Sequence, residues 1–333
     1  MDNTSPHWSN VLQGIIRLPS ERQRLATELG VTTMTLTRWA SGESNPQRPH
    51  LMRLVQAIHP RNRQQLVDAL KEQFPDINSW LRDDNLELIS SDFFSQVLTM
   101  RTTTTEGLLF WRISDMVLKQ ALAQLDPNRL GMSIKLIQCM PPRPEDRKIR
   151  SLHERAGKGT PPWTADLEHD VYFMGLESMS GYATEMRHII NNDDLSKDST
   201  IPAIKEEFEV SAAVHPVRFE GNIAGCLLAS SNQVAYFTQQ RLSLLTTFSD
   251  IIALAFHKHE FYPASSIELR VLPSAERQTP ILRTFRSRVT RKFQEAAAQR
   301  TPLSRNEAEQ RAWQEIEGEL LALPDDGIAL YKN

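Results

Sequence analysis

The chain has 333 residues, 40% hydrophobic and 24% charged, which excludes a disordered or fibrous composition. Its 38 Lys and Arg stand against 41 Asp and Glu, a formal net charge of -3, which excludes a uniformly basic protein but leaves room for a local basic patch. At roughly 100–200 residues per domain the length predicts two or three domains. Cys139 and Cys226 are too few for a disulfide framework or a Cys-rich zinc site. The opening MDNTSPHWSN has neither a basic nor an apolar signal region. The longest uncharged run, 221–240, is too polar at Ser230–Gln233 for a membrane core. The expectation is a cytoplasmic protein with no membrane partner.

The first eighty residues read as consecutive short helices. Val11, Leu12, Ile15 and Ile16 mark one face of a helix over 10–18, stopped by Pro19. Ser20 and Gln23 suggest a capping box opening a second helix. That helix buries Leu25, Ala26 and Leu29 and ends at Gly30, where a left-handed cap suits glycine. Thr32 caps a third helix over 33–40, with Leu36 and Trp39 inward. Ser41–Pro46 is a loop, and further helices are predicted over 49–58 and 63–74.

Ala26, Gly30, Val31, Leu36 and Trp39 fall at positions 5, 9, 10, 15 and 18 counted from Arg22. A small residue permits a close helix crossing, glycine permits a tight turn, and the apolar residues lock the second helix across the first. With Trp39–Pro46 and then Leu51, Leu54 and Ile58, this segment resembles the lambda-repressor-like, or xenobiotic-response-element (XRE), helix-turn-helix family over about 11–58. It departs from the family in having Arg22 where a glutamine is common. The resemblance implies that residues 33–38 form a recognition helix in the major groove of double-stranded DNA. Thr32, Thr33, Met34, Thr35, Thr37 and Arg38 are then the candidate DNA-facing residues. Arg38 suits a guanine edge, because a guanidinium pairs with O6 and N7 together. Arg22, Arg48 and Arg53 suit phosphates. A plain helical bundle with a solvated Thr/Arg face is the alternative.

The middle of the chain begins after a linker around Asp83–Asn85. Residues 88–125 read as helical with a break at Thr102–Thr105. A strand is predicted over 134–140, a second over 149–155 closed by Gly157 and Gly159, and helices around 166–173 and 181–190. Val210–Phe219 and Asn222–Ala229 read as a hairpin turning at Glu220-Gly221, followed by a helix over 238–258. The order of these elements, with Ser180–Ala183, Asn191–Asp198, Ala212–Val217, Gly221–Ala229 and Phe237-Thr238, resembles the GAF small-molecule sensor domain over about 105–258.

That resemblance implies a PAS-like sheet backed by helices, with a pocket on the sheet's other face. The pocket walls would include Trp163, Tyr172, Phe173, Met174, Tyr182 and Met186, with plain core packing as the competing reading. The cofactor, if any, is unknown. The Asn-Lys…Phe…Asp-Glu signature of cyclic-nucleotide GAF domains is not evident. Both cysteines read as core residues rather than bilin attachment points, and His153, His169, His188 and His215 read as surface or core histidines rather than haem ligands. GAF-type methionine sulfoxide reductases rely on several pocket cysteines, which two strand cysteines do not supply. No catalytic or metal-binding arrangement is read.

Residues 261–300 carry 8 basic against 3 acidic side chains, and residues 301–333 carry 3 against 7. A helix is predicted over 281–299 with Ile281, Phe285, Val289 and Phe293 in an apolar stripe, flanked by Arg283, Arg286, Arg288, Arg291 and Lys292. Ser304 and Glu307 form a capping box for a last helix reaching Leu321, with Trp313, Ile316 and Leu320 inside. This pair is a dimerisation element or clamp, a second DNA contact, or a cover for its own domain's core. The whole is a multidomain α plus α/β chain: an all-α helix-turn-helix bundle over 1–80, a helical linker over 81–104, a GAF domain over 105–260 and a helical extension over 261–333. The function expected is a DNA-binding one-component transcription regulator, a homodimer sensing a small-molecule effector and not an enzyme. The alternative is a non-catalytic adaptor whose head binds protein and whose GAF domain is ligand-free.

Overall fold

The computed structural model describes residues 7–74, 77, 88–167, 172–197 and 207–323. The linker read at Asp83–Asn85, His169 and the side chain of Arg48 lie outside them. The protein is mixed helix and sheet, and divides into two compact units, one holding helices α1–α5 together with Asn128–Leu130 and the other the rest of the chain from α6 onward.

The first unit contains α1 (Trp8–Ile15), α2 (Pro19–Leu29), α3 (Thr33–Ala40), α4 (Arg48–Ala57) and α5 (Pro60–Gln73). Its core is Trp8, Leu12, Leu25, Leu29, Leu36, Leu51, Leu54, Ile58, Leu66 and Leu70, and Trp8 Nε1 donates to Gln73 Oε1 at 2.6 Å. The start of α2 corrects the sequence reading. Leu18 is the N-cap and Pro19 the first helical residue, with no side-chain cap. Proline has no N–H to leave unpaired, and its fixed φ already suits a first turn, so the Ser20 box is not needed. At the other end Gly30 has φ +68°, and Val31 N donates to Ala26 O at 3.0 Å. That left-handed residue turns the chain directly into α3, where Thr32 Oγ1 accepts from Thr35 N at 3.1 Å.

The second unit is built on one antiparallel sheet of order β3-β2-β1-β6-β5-β4. Its strands are β1 (Met132–Cys139), β2 (Leu152–Gly159), β3 (Phe173–Met174), β4 (Ile190–Asn192), β5 (Ser211–Phe219) and β6 (Asn222–Ser231). Every residue of β1 is buried, so both faces are covered. Ile137, Cys139, Val214, Cys226 and Leu228 pack on one face with Met179 and Ala183 of α8 (Met179–Met186). Alternation sends Ile134, Leu136, Leu227 and Val217 to the opposite face, which α7 (Glu106–Leu125) and α9 (Gln239–Ile252) cover. Helix α6 (Ser91–Thr103), read as part of a linker, buries Phe93 and Val97 and sets Phe93 edge-on to Phe248 of α9 at 6.4 Å.

Several sequence readings are corrected here. Strand β2 starts at Leu152 and runs through both glycines instead of ending before them. A Cβ on Gly157 would stand 2.9 Å from Leu167 Cβ, so glycine lets the following loop lie flat on the strand. No helix covers Asp166 or Phe173: Asp166 bridges back to Lys158, and Phe173 belongs to β3. Helix α9 ends at Ile252 and tightens into a 3-10 turn over Ala253–Ala255, short of residue 258.

The tail is two helices before the capped one: α10 (Ala275–Leu282) and α11 (Phe285–Ala298), then α12 (Arg305–Leu321). Thr284 Oγ1 donates to Ile281 O at 2.6 Å and closes α10. Gln278 ties this tail to the sheet edge, accepting from Phe173 N at 2.9 Å and donating to Phe173 O and Pro273 O at 2.8 Å. Ile316 and Leu320 then bury against Met140, Phe173 and Leu272. Of the three roles read for the tail, covering its own domain is the one this packing describes.

Candidate functional sites

Two surfaces hold the chemistry. The first is the outer side of α3. Its inner residues Leu36 and Trp39 are buried, while Met34 is 70% exposed and the Arg38 side chain 62% exposed. Thr33 and Thr35 are half-buried, and Thr32 and Thr37 exposed. The threonine hydroxyls are engaged locally: Thr35 Oγ1 and Thr32 Oγ1 lie 2.9 Å apart, and Thr37 Oγ1 donates to Thr33 O at 2.8 Å. Arg38 Nε lies 3.7 Å from Glu43 Oε2, a partner the sequence reading passed over. Arg22 is half-buried and Arg53 exposed. Arg24 is held by Glu21 at 2.5 Å and Glu28 at 2.6 Å, and the Glu21 hydrogen bond raises its pKa.

The second is the interior of the sheet on the α8 side. Lys135 of β1 and Glu154 of β2 pair at 3.3 Å with side chains 3% and 2% exposed. Ser133 is fully buried one step along the same face, and its hydroxyl has no hydrogen-bond partner among the described residues. Ser230 Oγ donates to buried Glu209 beside it. The loop 160–167 closes over Gly157 beside this row: Leu167 N donates to Gly157 O at 3.2 Å, and a side chain on Gly157 would meet both Leu167 and Lys135. Desolvating a charge pair is costly, so this row contributes less to stability than apolar packing of the same volume would. The sequence signal was present: Ser133 and Lys135 recur with period two inside an apolar strand.

The six residues read as pocket walls fall in different places. Trp163 is buried in the closing loop, edge-on to Phe208 at 5.9 Å. Met174 and Tyr182 pack half-buried on the α8-side cluster. Phe173 turns away into the tail cluster. Tyr172 is half-buried and Met186 is 42% exposed.

His153, His215 and both cysteines are buried, while His188 is exposed. His153 lies between Phe173 and Trp313, with ring centroids at 5.1 and 4.3 Å, and burial drives its pKa well down. Burial also lowers His215. It pushes the Cys226 thiol up to about 12 and raises Cys139 as well. The basic face of α11 is largely matched by α12: Arg288 meets Glu319 and lies 3.5 Å from Glu315, Arg291 meets Glu315, and Lys292 reaches Glu315 at 3.2 Å. An open cleft of about 540 Å³ beside Leu321 and Leu323 holds Arg143, Arg150 and Arg270. Arg150 there is clamped by Asp146 and by Glu268 at 2.5 Å. No helix among the described residues is long and apolar enough to cross a membrane.

No family model matches the chain, and no curated protein matches it. Solved structures are similar over about half of its length. They include the GAF domain of an Acinetobacter phosphoenolpyruvate-protein phosphotransferase, at 19% identity over 51% of this chain and 96% of that one, TM-score 0.35. The type II free methionine-R-sulfoxide reductase of Thermoplasma acidophilum matches at 18% over 46% and 98%, TM-score 0.34. The GAF-B domain of DevS from Mycobacterium smegmatis matches at 21% over 45% and 92%, TM-score 0.30.

Proposed function

We propose that the chain is a DNA-binding one-component transcription regulator whose α/β unit is a GAF-type sensor. The DNA part is carried by the pairing of α2 with α3 across Gly30. Leu25, Ala26, Leu29, Leu36 and Trp39 are buried, while Met34, Thr37 and Arg38 stand exposed. A helix-turn-helix requires this: a second helix held by its inner side and bare on its outer side. Arg38 is assigned to a guanine edge, the threonines to phosphates or a thymine methyl, and Arg22, Arg48 and Arg53 to the backbone. A single such unit binds weakly, so the protein acts as a homodimer on two half-sites.

The sensor reading is supported by the antiparallel sheet, by α7 and α9 on one face, and by the polar row Ser133, Lys135, Glu154 and Ser230 on the other. A small effector acts only if it binds the DNA-competent and incompetent states differently. The role is non-catalytic in this reading. Both thiols are buried and held protonated, which leaves no thiolate nucleophile at neutral pH.

Sequencing of fragments selected by the purified full chain tests the reading. The expected result is a two-fold motif, with binding that weakens steeply as salt rises. A gel shift should show Arg38→Ala binding about tenfold or more weaker with its fold retained. Absence of any shift at low salt leaves the adaptor reading in its place.

A further inference from the structure

Met34, Thr37 and Arg38 stand at i, i+3 and i+4 on α3, so they share one face, and all three are exposed. They lie opposite the buried Leu36, Trp39 and Ala40. Two of the three present apolar groups. Thr37 Oγ1 donates to Thr33 O at 2.8 Å, which uses its one hydroxyl proton and turns the oxygen to the helix backbone. Its methyl group is then what projects. Met34 has no donor and only a weak thioether acceptor, and at 70% exposure it fills no core. The flanking hydroxyls are also occupied: Thr32 Oγ1 lies 2.9 Å from Thr35 Oγ1 and accepts from Thr35 N at 3.1 Å. Arg38 is the one strong donor on the face. No residue of α3 is Asn, Gln, Asp or Glu, the side chains that pair with adenine or accept from cytosine.

We infer that Met34 and Thr37 read thymine methyl groups, so that the bound site carries thymines beside the guanine read by Arg38. This rests on the DNA-binding reading above and narrows it, moving Thr37 from phosphate contact to base readout and giving Met34 a role. The base edges of the major groove present one apolar group, the C5-methyl of thymine. An exposed thioether and an outward methyl are complementary to that group. Adenine or cytosine opposite Met34 would bury an N–H donor with no strong acceptor to meet it, and guanine two acceptors with no donor. The face therefore selects by one bidentate hydrogen-bonded contact and two apolar ones. Burying one methyl is worth about fourfold in affinity, so the apolar pair sharpens the choice of sequence that the arginine anchors.

The test takes the full chain and the sites it selects, remade with deoxyuridine in place of thymidine. That change removes the C5-methyl and leaves every hydrogen-bonding group of the base. The wild type should bind about fourfold more weakly for each contacted methyl removed, at two positions near the selected guanine. Thr37→Ser keeps the hydroxyl that bonds Thr33 O and loses only the methyl, so it should bind thymine and uracil alike at one of these positions. Met34→Ala should do the same at the other. Arg38→Ala should lose the guanine and keep both thymine preferences. Replacing cytosine by 5-methylcytosine at either position should strengthen binding by about the same factor, because it adds the methyl alone. Uracil sites bound as tightly as thymine sites, or Thr37→Ser and Met34→Ala proteins that keep the full thymine preference, overturn the inference and leave DNA binding in place. Selection that recovers no fragment at low salt removes the DNA reading itself, and this inference with it.

Discussion

Arg38 and Glu43 lie 3.7 Å apart on exposed side chains, so the arginine assigned to a base edge starts out shared with a carboxylate. An exposed pair of this kind is worth about 0.2–1 kcal/mol. On the proposed reading, DNA has to displace that interaction and also tolerate the carboxylate near its phosphates. Glu43→Gln should therefore tighten DNA binding by about two- to fivefold, measured by gel shift at fixed salt. Weaker binding by that variant would mean Glu43 positions Arg38 rather than competing for it. The buried pair Lys135–Glu154 obeys a different arithmetic, since each charge is out of water. Lys135→Met alone takes the paired ammonium away from this buried carboxylate and should cost about 3–5 kcal/mol in urea unfolding. The double change Lys135→Met with Glu154→Leu should recover most of that loss. Equal stability of the single variant and the wild type would show that water already reaches the pair.

Helix α12 docks with one buried ionisable side chain, Glu317, that no sequence pattern marks. Glu317 is buried, accepts a hydrogen bond from Ser151, and has its pKa pushed up by burial to about 7. The folded state therefore holds this proton over a range where the unfolded chain has released it. Stability from Glu317 is undiminished below pH 4.5 and falls as pH rises toward 7, by roughly 3 kcal/mol at most. Glu317→Gln should flatten that part of the pH profile and gain on the wild type above pH 7 in thermal unfolding. A constant difference between the two from pH 4 to 8 would rule this out. The capping box that starts α12 was plain in Ser304 and Glu307, and the β5–β6 hairpin was plain in its alternation and its Glu220-Gly221 turn, both at positive φ. Other elements were hidden for physical reasons. Strand β3 has two residues, too few to show a period. The apolar spacing of Ile281, Phe285 and Val289 continues across the α10–α11 break, so periodicity alone could not find it. The polar row on the sheet was missed because Lys135 and Glu154 lie on different strands, and no local pattern pairs them before the β1–β2 register does.

At the scale of the whole molecule, the proposed reading makes affinity and regulation depend on how many heads meet a duplex at once. On that reading, half-sites about one helical turn apart would engage both heads of a dimer, the second contact being made at the effective concentration set by the first. The wild type should then bind a fragment with two half-sites about 100-fold more tightly than a fragment with one. Arg38→Ala should weaken both fragments. The same pair of fragments tests the sensor. An effector that alters the spacing of the heads changes binding to the double site only, because only that site reports their separation. A wild type that binds one half-site as tightly as two would remove the dimer from the mechanism and leave each head to act alone.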